Sequence, residues 1–260
     1  MSNNEGFDYG GEVAETVSKF KNATVGSRNA RLYGLLRLGT FQETYTPKGG
    51  APEVKSPAPQ GVAIFHLLGK GDKMDDESAM FFSKPFPFKK GDKSFLHSSF
   101  IPAFGGMSKH KGFSTMINNL FALKLKAGKD TNEDGTPKYV NFGAMSEIPE
   151  DNLEIFETLP QYAALPDPVG FLTEGQLTRE ALEMLNPVRE FAGILMKTQE
   201  FVAGIHPCQE LIETMYEEDK EKYTIKKKDK AEDDDTPQEA NTAKNLPAQS
   251  ENLNDTQQEY

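Results

Sequence analysis

Residues 120–126 read Leu-Phe-Ala-Leu-Lys-Leu-Lys, a strict alternation that leaves the chain few choices. Phe121, Leu123 and Leu125 fall on one side, and Ala122, Lys124 and Lys126 on the other. A period of two belongs to a half-buried strand, here with one apolar face and one lysine-bearing face. Lysines in register on a strand suit a small sheet that holds a polyanion. A soluble enzyme rarely needs them.

Four further segments have strand character. In residues 30–42, Leu32, Gly34, Leu36 and Leu38 are expected on one face, and Arg31, Tyr33, Leu35 and Arg37 on the other. Gly34 and Gly39 inside that pattern predict a bulge or sharp coiling. Residues 43–60 form a Pro/Gly loop, and residues 61–68 a second strand. Residues 79–88 form a third, whose Pro85 and Pro87 make its end an edge or a loop. Residues 89–119 are expected to be helical near Asp92 and again around 113–120. Residues 120–126 and 138–145 then make a hairpin, with Asp134-Gly135 as its turn signal.

The order β-β-β-α-β-β predicts a mainly β chain with some α: an OB-fold-like five-stranded barrel, although the same order fits some other sheets. In an OB-fold the strand 2–3 face and the loops after strands 1 and 4 bind oligonucleotides or oligosaccharides. Those loops would be residues 43–60 and 127–137. The expected organisation is an N-terminal arm (1–27) with a short amphipathic helix over 11–20, the OB-like domain (28–149), a connector and helical annex (150–216), and a disordered acidic tail (217–260). In the annex, Leu177, Ala181, Leu185, Val188, Ala192 and Leu195 recur at helical spacing, and Asn186-Pro187 breaks the run. The annex is expected to pack on the barrel or on a second subunit, which leaves a homo-oligomer open. From residue 231 onward eight acids stand against one lysine, with too little apolar bulk to offset the entropy of ordering.

The net charge of −11 is unevenly spread. Residues 16–149 hold 19 basic and 11 acidic side chains, whereas residues 150–260 hold 10 and 25. A basic body with an acidic tail behaves differently from a uniformly acidic protein, and the tail is expected to compete for the basic groove. No run approaches the roughly 18–20 apolar residues of a membrane span, so no membrane partner is expected. The N-terminus lacks the features of a secretory signal, and Cys208 is the only cysteine, so a reducing, cytoplasmic setting is expected.

The strongest functional signal is basic residues interleaved with aromatic ones. Arg31, Tyr33 and Arg37 share the first strand; Tyr45, Lys48 and Lys55 flank the first loop; Phe82, Lys84 and Phe86 alternate on the third strand; Lys124 and Lys126 lie on the fourth, with Tyr139 opposite. Phosphates need cations and unstacked bases need flat π-faces, so these are the candidate nucleic-acid-binding residues. Core packing is the competing role for Tyr33, Tyr45, Phe82, Phe86 and Tyr139. Phe65, Phe81, Phe95, Phe100, Phe121 and Phe142 are assigned to the core outright. No catalytic motif, metal-ligand spacing or cofactor loop is present: His66, His97, His110 and His206 are scattered, and Leu-Gly-Lys-Gly-Asp-Lys at 68–73 only superficially suggests a phosphate loop. The expectation is a protein that is not an enzyme and needs no cofactor or metal.

The segments Ala-Arg-Leu-Tyr-Gly-Leu-Leu-Arg-Leu-Gly-Thr-Phe-Gln from residue 30, Val-Ala-Ile-Phe-His-Leu-Leu from 62, Phe-Phe-Ser-Lys-Pro-Phe from 81, the lysine strand and Lys-Tyr-Val-Asn-Phe from 138 resemble the single-stranded DNA-binding proteins of tailed phages. The resemblance covers about residues 28–148. It implies a replication and recombination protein that coats exposed strands in the host cytoplasm. It also implies that the acidic tail, with Asp233, Asp234, Asp235 and the terminal Tyr260, recruits a polymerase or other partner. Similar proteins of schitovirus-type phages also serve as cofactors of a phage or host RNA polymerase, which is the alternative reading. A structural or oligomeric protein without nucleic acid is the third.

Overall fold

The computed structural model describes residues 23–224 except 48–49, 133–134, 160–161 and 163–164. The expected N-terminal helix, Lys48, Asp134 and the acidic tail with Asp233, Asp234, Asp235 and Tyr260 therefore lie outside the described residues.

All five expected strands form. β1 (Gly26–Phe41) is the longest, and a small hairpin of β2 (Thr44–Tyr45) and β3 (Glu53–Val54) follows it. β4 (Ala58–Leu67), β5 (Phe81–Pro87), β6 (Leu120–Ala127) and β7 (Val140–Ser146) complete a sheet of order β5-β4-β1-β6-β7, each neighbour antiparallel. The loop at 43–60, expected to be irregular, thus contains its own two-stranded hairpin. β8 (Gly170–Leu172), which the sequence pattern does not announce, runs parallel to Gly34–Leu36 along the edge of β1 that β6 leaves.

The sheet is open, and the expected closed barrel does not form. β5 explains why. Phe88 donates its N–H to Pro59 O on the β4 side, so the odd-numbered residues of β5 turn their main chain to the free edge. Pro85 and Pro87 have no N–H to offer there, and the Arg189 side chain donates to Ser83 O on the same edge. β7 therefore finds no ladder to join. The gap is filled instead by a π-helical turn (Leu96–Phe100) that runs into α1 (Ile101–Ala103). Phe86, Phe95, Phe100 and Phe104 link there through ring centroids 5.1–6.0 Å apart.

Two hydrophobic layers flank β1 and β4. The inner one gathers Leu32, Leu35, Phe65, Phe86, Phe100, Met116, Phe121, Leu123 and Leu125. The other, built with the annex, gathers Tyr33, Leu36, Leu38, Val62, Ile64, Leu182, Phe191, Leu195 and Ile212. Each buried Leu, Ile or Phe side chain contributes about 1.5–3 kcal/mol, so both layers matter to stability. The annex is a series of short helices: α2 (Glu150–Thr158), α3 (Arg179–Glu183), a π-helical turn (Pro187–Ala192), α4 (Gln199–Val202), α5 (Gln209–Glu218) and α6 (Lys220–Tyr223). Their starts are set by side-chain caps: Thr178 accepts from Ala181 N, Asn186 from Arg189 N ahead of Pro187, and Thr198 from Phe201 N. Residues 26–224 share one compact unit, because the annex adds both β8 and a core face to the sheet. Among the described residues no helix is long and apolar enough to cross a membrane.

Candidate nucleic-acid interface

Gly34 decides how the candidate residues are shared between the two faces. The β1–β4 register skips Tyr33, pairing Leu32 with Phe65 and Gly34 with Ile64. This bulge reverses the side-chain phase of the strand. Arg31 and Tyr33 stay on the annex side with Leu36 and Leu38, while Leu35 and Arg37 move to the inner side. The simple alternation that places Arg31, Tyr33, Leu35 and Arg37 on one face is thereby corrected. A Cβ at Gly34 would sit 2.4 Å from Val169 Cγ2, so the bulge also admits the chain leading into β8.

Arg31 and Tyr33 are not open to a ligand in this conformation. Arg31 is 3% exposed and donates to Asn118 Oδ1 (2.7 Å), Pro166 O (2.6 Å) and His66 Nδ1 (3.3 Å). Tyr33 is 5% exposed and packs on Phe81. Phe86 is 1% exposed and belongs to the inner core, so the expectation that it stacks on bases is also corrected. Arg37 is half-exposed over the Phe88 ring and paired with Glu174 at 3.1 Å. Tyr45 donates to Glu53 at 2.5 Å, and Lys55 lies over the Tyr45 ring while pairing with Glu43 at 2.8 Å. That hairpin balances its own charge, though exposed pairs of this kind are worth only about 0–1 kcal/mol and exchange readily.

Lys124 and Lys126 keep the placement that the alternation predicts. Both are exposed, both face away from Phe121, Leu123 and Leu125, and neither forms an ion pair among the described residues. Their face is the one that bears Arg31: Ser27 is opposite Lys124, Asn29 opposite Ala122 and Arg31 opposite Leu120. Lys126 reaches across Gly143, where a Cβ would meet its Cγ at 2.9 Å. Gly143 is the extra residue of a second bulge, between Ala144 opposite Lys124 and Phe142 opposite Leu125. Tyr139 is 55% exposed at the end of this hairpin, beside Lys138.

On the other side of β7 lies Lys84. Its ammonium sits 5.6 Å from the Phe95 ring and 5.7 Å from the Phe142 ring, and those two rings meet edge to face at 5.1 Å. Burial holds the Lys84 pKa below its usual value, with Arg189 adding to the effect and Glu190 opposing it. Phe95 and Phe142, assigned to the core from sequence, are only half-buried at its margin, as are Phe81 and Phe82. Phe65, Phe100 and Phe121 are fully buried as expected. Rings and cations therefore gather around the free edge of β7: Lys84 and Phe142 inside, Lys126 and Lys124 outside. Lys89, Lys90 and Lys93 continue the chain after β5 and are exposed as well. Sequence reading passed over these three; the signal was their density between Phe88 and Phe95. The single basic groove expected to gather Arg31, Arg37, Lys124 and Lys126 does not form: Arg37 is on the opposite face and Arg31 is covered.

Two of the remaining histidines bond main-chain carbonyls. His206 shares a hydrogen bond with Leu38 O at 3.1 Å, and His110 with Phe104 O at 2.8 Å. Among the described residues no group of three or more His, Cys, Asp or Glu is placed to hold a metal. A cavity of about 430 Å³ in the helical layer is lined by Val188, Ala192, Met196, Lys197, Tyr216 and Tyr223, with no carboxylate or imidazole in its wall among the described residues.

His66 carries a consequence for stability. Its pKa is pushed down to about 4, first by burial and then by the neighbouring Arg31 charge. Accepting from Arg31, Nδ1 leaves the proton of the neutral ring on Nε2. Between pH 6.5 and 4 His66 takes up a proton in the unfolded chain that it refuses in the folded one, so its contribution to stability falls as pH drops through that window and is constant above it. The expected loss is on the order of 2 kcal/mol by urea denaturation at pH 7 and pH 4. His66→Gln should lose measurably less over the same interval, and an equal loss would place the acid sensitivity elsewhere.

No protein-family model, no curated protein and no solved structure matches the chain.

Proposed function

We propose that this protein is a non-catalytic single-stranded DNA-binding protein with little sequence preference, acting where replication or recombination exposes a strand. The observation that carries the reading is the grouping of half-buried Phe95 and Phe142 around Lys84, beside lysines 124 and 126, which form no ion pair among the described residues. A ring offers every base a π-face regardless of sequence, and each stacked base is worth about 1–3 kcal/mol. Cations on either side of one narrow edge suit a single backbone; a duplex presents its bases already stacked. The strand order is also that of an OB-fold opened between its third and fifth strands, and such barrels are partly open even when they close. The acidic segment 231–260 is proposed as the contact for a polymerase or other partner, as in the phage proteins the sequence resembles.

Titration of a labelled oligo-dT at several salt concentrations tests the reading. Binding should be tight at 50 mM salt, weaken steeply as salt rises, and exceed binding to a duplex of the same length. Absence of binding at low salt would favour a structural protein that never meets nucleic acid.

A further inference from the structure

Arg31 is a buried cation without an anion. Its partners are an amide oxygen, a backbone carbonyl, a neutral imidazole and the Tyr33 ring 5.4 Å away, and among the described residues it forms no ion pair. Its Nε is buried and has no hydrogen-bond partner among the described residues. Burying a guanidinium this way costs free energy that neutral acceptors only partly offset. Asp167 is close enough to act on it through space without bonding to it, and burial still holds the Arg31 pKa below its normal value. Asn118, which accepts from Nη1, holds a left-handed backbone with φ of 70°, rare for a residue other than glycine.

What covers Arg31 is a short strap, residues 165–169, between α2 and β8. Pro166 supplies the carbonyl over Nη2, and Val169 sits against Gly34. Beyond it the backbone turns at Gly170 (φ 89°) into β8. The strap lies where the annex stops covering the sheet. On one side the face is packed against the helical layer; on the other, Asn29 is half-buried and donates to the Tyr162 hydroxyl, and the face opens only at Lys124 and Lys126.

We propose that Arg31 is a cryptic phosphate site of the nucleic-acid interface, and that a bound strand takes the place of the 165–169 strap over it. The proposal rests on the reading of the protein as a single-strand binder. A phosphate supplies what the guanidinium lacks: a charge-matched acceptor able to engage Nε and Nη2 together. Lifting the strap, together with Tyr162 that precedes it and bonds Asn29, extends the row Lys126–Lys124 along β6 and β1 to Arg31, four residues up the strand from Ser27, which is opposite Lys124. At about 3.4 Å per residue, that adds roughly 13 Å to the path, about the reach of two more nucleotides.

The test uses oligo-dT and the 260-residue chain. Replacing Pro166 and Pro168 together with glycine loosens the strap while leaving Arg31 in place. The loosened protein should bind oligo-dT several-fold more tightly, with a salt dependence steeper by about 0.7 in log–log slope. Arg31→Gln in the loosened background should cancel both gains. A role confined to pinning the strap would leave the slope unmoved. Unchanged affinity on loosening, or a gain that survives Arg31→Gln, overturns the proposal. If the unaltered protein ignores oligo-dT at 50 mM salt, the single-strand reading falls and Arg31 falls with it. If it binds and the strap variants do nothing, only the Arg31 site is lost.

Discussion

Replacing Asp72 with alanine should destabilise the protein by about 3–5 kcal/mol, a third or more of the stability of an ordinary domain. The Asp72 side chain is 1% exposed and that of Arg28 4%. Asp72 accepts from Arg28 through Oδ1 and from the Gly69 N–H through Oδ2 at 2.8 Å, while Arg28 also bonds Thr24 O. Arg28 Nε already lacks a partner. Without the carboxylate, a buried guanidinium would keep one carbonyl for company. Pairing Asp72→Leu with Arg28→Met should restore most of the loss, since an apolar pair of similar volume replaces a buried ion pair at little or no net cost. Urea denaturation of the two proteins decides it. A loss below 1 kcal/mol for Asp72→Ala would mean that water reaches Arg28 freely.

The largest functional effect is expected from Lys84→Met, Lys124→Gln and Lys126→Gln combined. Each lysine that meets a phosphate releases counterions, and on single strands each contact contributes about 0.7 to the salt slope. Removing three should flatten the slope by about 2 and weaken oligo-dT binding roughly 100-fold at 0.1 M salt, with the difference closing towards 1 M. Methionine keeps most of the Lys84 stem between Phe95 and Phe142, and Lys124 and Lys126 are exposed, so the melting temperature should barely move. An unchanged slope would show that these lysines face solvent and nothing else.

Much of the sheet was legible because its signals are local. The alternation at 120–126 survives intact in β6, with its apolar side inward and its lysines outward. Pro85 and Pro87 announced an edge, and that edge is what keeps the sheet from closing. The glycines of β1 announced irregularity, but only the register tells which residue is extra; because that residue is Tyr33, Arg31 and Arg37 part company. Burial of Arg31 was not legible, since it depends on a strap about 135 positions away in the chain. β8 escaped notice for the same reason: three residues of Gly-Phe-Leu have no period of their own and become a strand only against Gly34–Leu36. Phe95 and Phe142 looked like core by composition. Their half-burial follows from the missing β5–β7 pairing, which leaves the rings at the margin of the layer.

β1 serves as a wall of both hydrophobic layers, with Leu32 and Leu35 turned one way and Leu36 and Leu38 the other. Neither layer can loosen without the other losing a side. Lys124 and Lys126 share the annex side of the sheet, so a guest that grips them and steadies β1 steadies the helices on that same side, and a molecule that seizes those helices alters by the same free energy how firmly the guest is held.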